Sequence, residues 1–178
     1  MRTQKYQRLV DLIIFAMLGV IMFVSKYITE ALPNIHLLGM LTMTYTIVYR
    51  KKALVPIYVF VFLIGLFNGF ALWWIPYLYL WTVLWAIAML LPKNMSKKVA
   101  VPVYAIVCAL HGLCYGILYA PAQAIMYGLD FKGMITWIVA GFPWDVLHAI
   151  GNFAVGLLIV PIATTLKTFH KTASQEKN

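Results

Sequence analysis

Three polar residues stand out in an apolar stretch near the C-terminal end of the chain: Asp145, His148 and Asn152. They are spaced i, i+3, i+7, and at ~100° per residue on a helix they fall within about 60° of one another. One stripe thus carries an anionic acceptor, an imidazole that both donates and accepts, and an amide. Such groups are costly in an apolar helix and face the protein interior or a watery cavity. Two readings follow. The stripe faces a ligand, or Asp145 pairs with His148 and staples its helix to a neighbour. Pro143 leaves backbone carbonyls before it free to bond elsewhere, and Trp144 can stack or anchor. His111 and Tyr115, at i and i+4, share a face of the preceding apolar segment; His111 is either a ligand-facing group or a satisfied core histidine.

Other chemistry is poorly provided for. The sequence has no Gly-x4-Gly-Lys-Ser/Thr, no His-Glu-x-x-His and no Gly-x-Ser-x-Gly, so it lacks the signatures of a nucleotide loop, a zinc protease and a serine hydrolase. Ser25, Ser96 and Ser174 are not flanked as nucleophiles are. A metal at Asp145 and His148 would need further ligands from His111 or His36. The expectation is a protein that is not an enzyme, with no metal and no cofactor. Cys108 and Cys114 lie about 240° apart on one helix, which excludes an intrahelical disulfide and makes both packing residues.

The elements that must carry these residues follow from composition. Of 178 residues, 63% are hydrophobic and 11% charged, with mean hydropathy +0.87; a soluble domain has roughly 45–50% and about 25%. This composition indicates an integral membrane protein and excludes secreted disulfide scaffolds, disordered tails and soluble nucleotide-binding folds. The apolar runs do not alternate as barrel strands do, so the expected fold is all-α: one domain over 1–178, a bundle of six transmembrane helices at roughly 9–29, 37–49, 53–72, 75–91, 99–127 and 133–163. The first run is too long for a signal-peptide core and lacks a clear cleavage site. The net charge is +9. Basic residues cluster before helix 1 (Arg2, Lys5, Arg8), between helices 2 and 3 (Arg50, Lys51, Lys52), between helices 4 and 5 (Lys93, Lys97, Lys98) and in the tail (Lys167, Lys171, Lys177), with only Lys26 and Lys132 on the other side. By the positive-inside rule both termini are cytoplasmic.

Helix 2 is short. Its run of apolar residues from Leu37 to Tyr49 spans about 20 Å, against a hydrocarbon core of ~30 Å, and Pro33 resists extension towards the N-terminus. Either the helix tilts and the bilayer thins, or its outer end sits below the surface. The second case opens a depression, with the loop Thr29 to His36 lying across it as a lid. Trp73, Trp74, Tyr77, Tyr79, Trp81, Tyr119 and Tyr127 crowd the outer side as an interfacial belt or as a stacking surface. Ala16, Gly19 and Val20 form a small-residue patch on helix 1, inviting close packing by an internal helix or another subunit. Gly112-x3-Gly116 marks a second close contact. Asp11, near the start of helix 1, suits a helix N-terminus.

Six helices with both ends inside, the Ala16–Val20 patch, the Leu32-Pro33-Asn34 loop before a short helix, and the run Ala140-Gly141-Phe142-Pro143-Trp144-Asp145 continuing through His148 to Gly151-Asn152 resemble the S component of energy-coupling factor (ECF) vitamin transporters. The resemblance covers nearly the whole chain in topology, through short motifs. It implies capture of a vitamin or precursor near the outer face under the first loop, and assembly with a membrane coupling protein and two cytoplasmic ATPases in a bacterial plasma membrane. The family's Ala-x3-Ala docking patch maps onto Ala16 and Val20, where Val20 departs from the pattern and Gly19 is the alternative point of close approach. On this reading Asp145 and His148 hold a polar edge of the ligand, and Asn152 and His111 complete the floor. Trp74, Trp81 and Tyr115 form the walls, and Asn34 and His36 close the lid. A flat heterocycle, such as the benzimidazole of a cobalamin precursor, suits such a site. The competing classes are a structural membrane subunit without a small ligand and a small intramembrane enzyme using Asp145 and His148.

Overall fold

The structure, a computed structural model, describes residues 4–32 and 34–175. Arg2, Pro33 and Lys177, which the sequence reading used, lie outside the described residues. Among the described residues the fold consists of eight helices and two 3-10 turns, without a strand. Four stretches of the described residues are long and apolar enough to cross a membrane: Gln4–Ile28, Leu72–Leu90, Lys97–Tyr127 and Phe131–Gly156. Their outward faces carry large apolar side chains such as Leu12, Met17, Val139 and Ile150. These are membrane-protein surfaces, apolar where a soluble protein would be polar.

The helices are α1 (Gln4–Ile28), α2 (Leu38–Tyr49), α3 (Leu54–Asn68), α4 (Tyr77–Leu90), α5 (Lys97–Leu113), α6 (Tyr115–Tyr127), α7 (Phe131–Gly156) and α8 (Ile159–Gln175). Helix α2 is as short as its apolar run suggests, and every residue from Leu38 to Thr46 is buried. A helix with no polar face belongs at the centre of a bundle. Two of its threonines bond along the helix, Thr46 donating to the Thr42 carbonyl at 2.7 Å and Thr44 to the Met40 sulfur at 3.6 Å, while the Thr42 hydroxyl is buried without a partner among the described residues. Helices α4 and α8 flank α2, while α1 packs on α3 and the most extensive contact joins α5 to α7.

Two of the expected helices are interrupted. The expected span 99–127 breaks at Cys114 into α5 and α6. The expected span 133–163 ends at Gly156, and after Leu157 and Leu158 the chain resumes as α8. The basic tail is therefore helical as far as Gln175 and packs against α2 and α5 rather than trailing into solvent. Helix α3 stops at Asn68, short of the expected 72, because Gly69 adopts φ +87°, a conformation open to glycine.

The basic clusters converge on one end. Lys52 pairs with Asp11 at 2.7 Å, with His170 of α8 3.7 Å from the other Asp11 oxygen. Asp11 thus ties α1 to the α2–α3 turn instead of serving its own helix end. Cys108 and Cys114 are free thiols.

The small-residue patch on α1 divides between two directions. Ala16 and Val20 are exposed, whereas Gly19 is buried. A Cβ at Gly19 would lie 2.5 Å from Val59 Cγ1 and 2.9 Å from the Pro56 carbonyl oxygen. Gly19 is therefore the contact between α1 and α3 and is not available to another subunit, because α3 already covers it. Gly19→Leu is expected to destabilise the protein by about 1–3 kcal/mol through overpacking. Ala16→Leu, on the exposed face, is expected to leave thermal unfolding in detergent unchanged.

Candidate functional site

The loop between α1 and α2 lies over the buried N-terminal end of α2. Asn34, at φ +56°, takes a left-handed conformation that asparagine tolerates better than most residues. Its Nδ2 donates to the Trp144 carbonyl at 3.2 Å, latching the loop to the middle of α7. Beneath the loop is a cavity of about 220 Å³. Asn34, His36, Tyr115 and His148 line it, with Tyr77 on the α4 side and Lys26, Thr29 and Glu30 at its rim.

Below this cavity the rings form a continuous layer. The His36 ring meets that of His148 at 4.5 Å and that of Trp81 at 5.9 Å. Tyr115 stands 5.0 Å from His148, and Trp81 lies 5.9 Å from His111. Trp81 is 1% exposed, His111 and His148 3% each. His111 Nε2 lies 3.1 Å from the Leu80 carbonyl. A neutral imidazole so placed donates through Nε2 and keeps Nδ1 as a bare acceptor.

Most buried polar atoms in proteins have a partner. Here His36 Nδ1, His148 Nε2, His111 Nδ1 and Trp81 Nε1 are all buried without a hydrogen-bonding partner among the described residues. Four such atoms in one layer, two of them on side chains that line a cavity, form a set of donors and acceptors suited to a flat, polar-edged molecule. Among the described residues no three His, Cys, Asp or Glu side chains are placed to share a metal ion.

Asp145 does not line the cavity. Both carboxylate oxygens accept the Gly116 backbone N–H, at 3.2 and 3.1 Å. That N–H would ordinarily bond the Gly112 carbonyl four residues back. A side chain inserted into the hydrogen-bond ladder interrupts a helix, and the interruption is the break between α5 and α6. Asp145 is thus the N-terminal anchor of α6, a place where negative charge is favoured. No ion pair joins it to His148 among the described residues, so neither the ligand-edge nor the Asp–His staple reading of Asp145 holds. It is a staple of a different kind, from α7 to the start of α6.

Asn152 lies deeper, 1% exposed, with Nδ2 donating to the Cys108 carbonyl at 3.2 Å. It packs against Gly39 and Gly112, below the cavity and not on its wall. Trp74 is elsewhere: its Nε1 donates to the Val61 carbonyl at 2.8 Å and its ring packs on Phe70. That hydrogen bond fixes it to α3, so it is not a wall of the site. Lys26, Thr29, Glu30, Leu32, Ile35 and Tyr77 are the lining residues that the expected site omits. Tyr77 belonged to the outer aromatic set, and Thr29 and Glu30 to the lid sequence.

No protein-family model, curated protein or solved structure matches this chain. The site's meaning therefore rests on its own geometry.

Removing the Asp145 carboxylate leaves the Gly116 N–H without a partner. Asp145→Ala is expected to cost about 1–3 kcal/mol, and Asp145→Asn, which retains an acceptor oxygen, to recover most of it in thermal unfolding. Burial, aided by Lys26 and His111, lowers His36 from 6.5 to about 4. The unfolded chain then binds the extra proton first, so stability is greatest above pH 6.5 and falls as pH drops towards 4. Thermal unfolding between pH 7.5 and 4 is expected to show this decline, and His36→Gln to make it shallower.

Proposed function

We propose that this chain is the substrate-binding S component of an ECF-type importer. It captures a flat heterocycle, of the kind found in vitamins and their precursors, at the outer face of a bacterial plasma membrane. The single observation that carries the reading is the lidded cavity over a layer of four partnerless polar ring atoms. A ring system with donors and acceptors at its edge satisfies those atoms and stacks against His36, His148 and Tyr115. A cavity of about 220 Å³ suits a compact bicycle such as a benzimidazole, since pockets for drug-sized ligands run ≈ 300–1,000 Å³. Asn34 and His36 hold the lid, Trp81 and His111 supply the floor, and Asn152 supports the floor from below.

In this proposal the chain spans the membrane six times, counting α5 with α6 as one span and α8 as an inner-face helix. The basic end is cytoplasmic, with both termini there. The exposed Ala16–Val20 face of α1 docks a membrane coupling protein, and two cytoplasmic ATPases supply the energy. The chain itself performs no chemistry. The role of Asp145 as a helix anchor supports a partly structural reading of the α7 stripe, and it weakens the alternative of an enzyme using Asp145 as acid or base.

Native mass spectrometry of the full chain, purified in mild detergent after growth in rich medium, tests the proposal. One bound small molecule is expected on the wild type and none on His148→Ala, with both proteins folded. Uptake of that molecule by cells should fall at least tenfold in His148→Ala. A folded, monodisperse wild type without a bound molecule, combined with a His148→Ala variant that changes nothing in uptake or growth, would favour a structural subunit and overturn the proposal.

A further inference from the structure

The end of the bundle opposite the lid holds a second, partly open cavity. This cavity of about 250 Å³ lies between the end of α2, the end of α4, α5 and α8. Its floor is apolar, made by Ile47, Val48 and Leu91. Its polar lining is Arg50, Lys93, Lys167, Asn94 and Tyr104, and no carboxylate lines it among the described residues. Asp11, which meets the α2–α3 turn, is engaged by Lys52 of that turn.

Arg50 is held for this position. Its backbone sits at φ +54°, a conformation that is strained for a side chain of this size. The Arg50 amide donates to the Thr46 carbonyl, and its own carbonyl accepts from Trp85 Nε1 at 3.1 Å. One guanidinium nitrogen, Nη2, donates to the Met89 carbonyl at 2.7 Å. The chain thus fixes the cation from three sides, yet Nε is buried without a hydrogen-bonding partner among the described residues. Lysines at the inner face of a membrane protein are ordinarily solvated and need no partner. Arg50 is a different case: it is half-buried and keeps a buried unsatisfied donor beside an apolar-floored cavity, while Lys93 and Lys167 stand exposed at the mouth of that cavity. An anion there completes the guanidinium's bonding and is attracted by both lysines. A phosphate oxygen fits an arginine fork, and lysines add point charges beside it.

We infer that this cavity binds a phosphate-bearing anion through Arg50, Lys93 and Lys167. The ligand is the headgroup of an anionic phospholipid or a free phosphate compound; both present the same charged oxygens. A basic pocket between helices at one membrane face suits the former. The site is independent of the lidded cavity and of the importer proposal, since it shares no residue with the ligand seat.

Lipid binding by the full chain in detergent, read by native mass spectrometry with phosphatidylglycerol and phosphatidylcholine as probes, tests the inference. Inorganic phosphate is tested separately by thermal shift against chloride at equal ionic strength. The double variant K93Q/K167Q removes two cavity cations, and K97Q/K98Q removes the same charge from exposed lysines that do not line the cavity. The expected result is preferential phosphatidylglycerol binding that weakens about 30-fold in K93Q/K167Q and is retained in K97Q/K98Q. A shift with inorganic phosphate showing the same dependence identifies a free phosphate compound as the ligand. Equal losses in both variants, no loss in either, or no response of the wild type to either anion overturns the inference.

Discussion

The shared hydrogen bond between the Asp145 carboxylate and the Gly116 N–H organises the membrane half that carries the site. It draws α7 against the junction of α5 and α6, where glycines at 112 and 116 leave room. A Cβ on Gly116 would stand 2.3 Å from Asp145 Oδ2, and one on Gly112 would stand 2.8 Å from the Asn152 amide. One interaction therefore sets three things together: the break after α5, the depth at which α7 lies, and the height of His148 one turn along. His148 then projects where Tyr115, the first residue of α6, can meet it. If the carboxylate were absent, α5 and α6 could run on as one helix, and the Tyr115 ring would lose its place in the layer under the lid.

The second constraint is the length of α2. Because α2 starts only at Leu38, His36 precedes it in the loop rather than in a helix. That placement brings His36 into contact with Trp81 and His148 beside the cavity it lines. A bundle optimised for stability alone would fill that layer with leucine, since partnerless buried polar atoms cost free energy. Four such atoms in one place mark a region where folding stability has been given up, which is common at binding sites.

Much of this organisation was legible in the sequence. The membrane class followed from composition, the short α2 from the 13-residue run 37–49 before Arg50, and the lid was one of the two readings that this short run left open. His36, His111, Tyr115 and His148 could be singled out because polar rings in apolar segments are rare. The role of Asp145 was not legible. Its partner is a backbone N–H 29 residues away, and no side-chain pattern announces a backbone donor. The break at Cys114 was hidden for the same reason, since apolar residues continue through Leu113 and beyond Tyr115. Trp74 and Trp81 are alike as residue types and only seven positions apart, yet the hydrogen bond of Trp74 to the Val61 carbonyl turns one away while the other becomes the hub of the layer. Helix α8 escaped notice because apolar residues run straight from α7 into it, and two leucines at 157 and 158 mark no boundary by type.

The two ends of the molecule are built on opposite electrostatic terms. At the lid end the cavity is walled by rings, with Lys26 and Glu30 of opposite charge at the rim, so a ligand entering there meets little net field. At the other end, Arg50, Lys93 and Lys167 line the second cavity, and no carboxylate lines it among the described residues. A polar-edged, nearly neutral heterocycle is suited to the first and would gain little at the second; a phosphate is suited to the second and would find too few cations at the first. Helix α2 runs between the two ends, buried from Leu38 to Thr46, with the lid loop entering it at one end and Arg50 leaving it at the other.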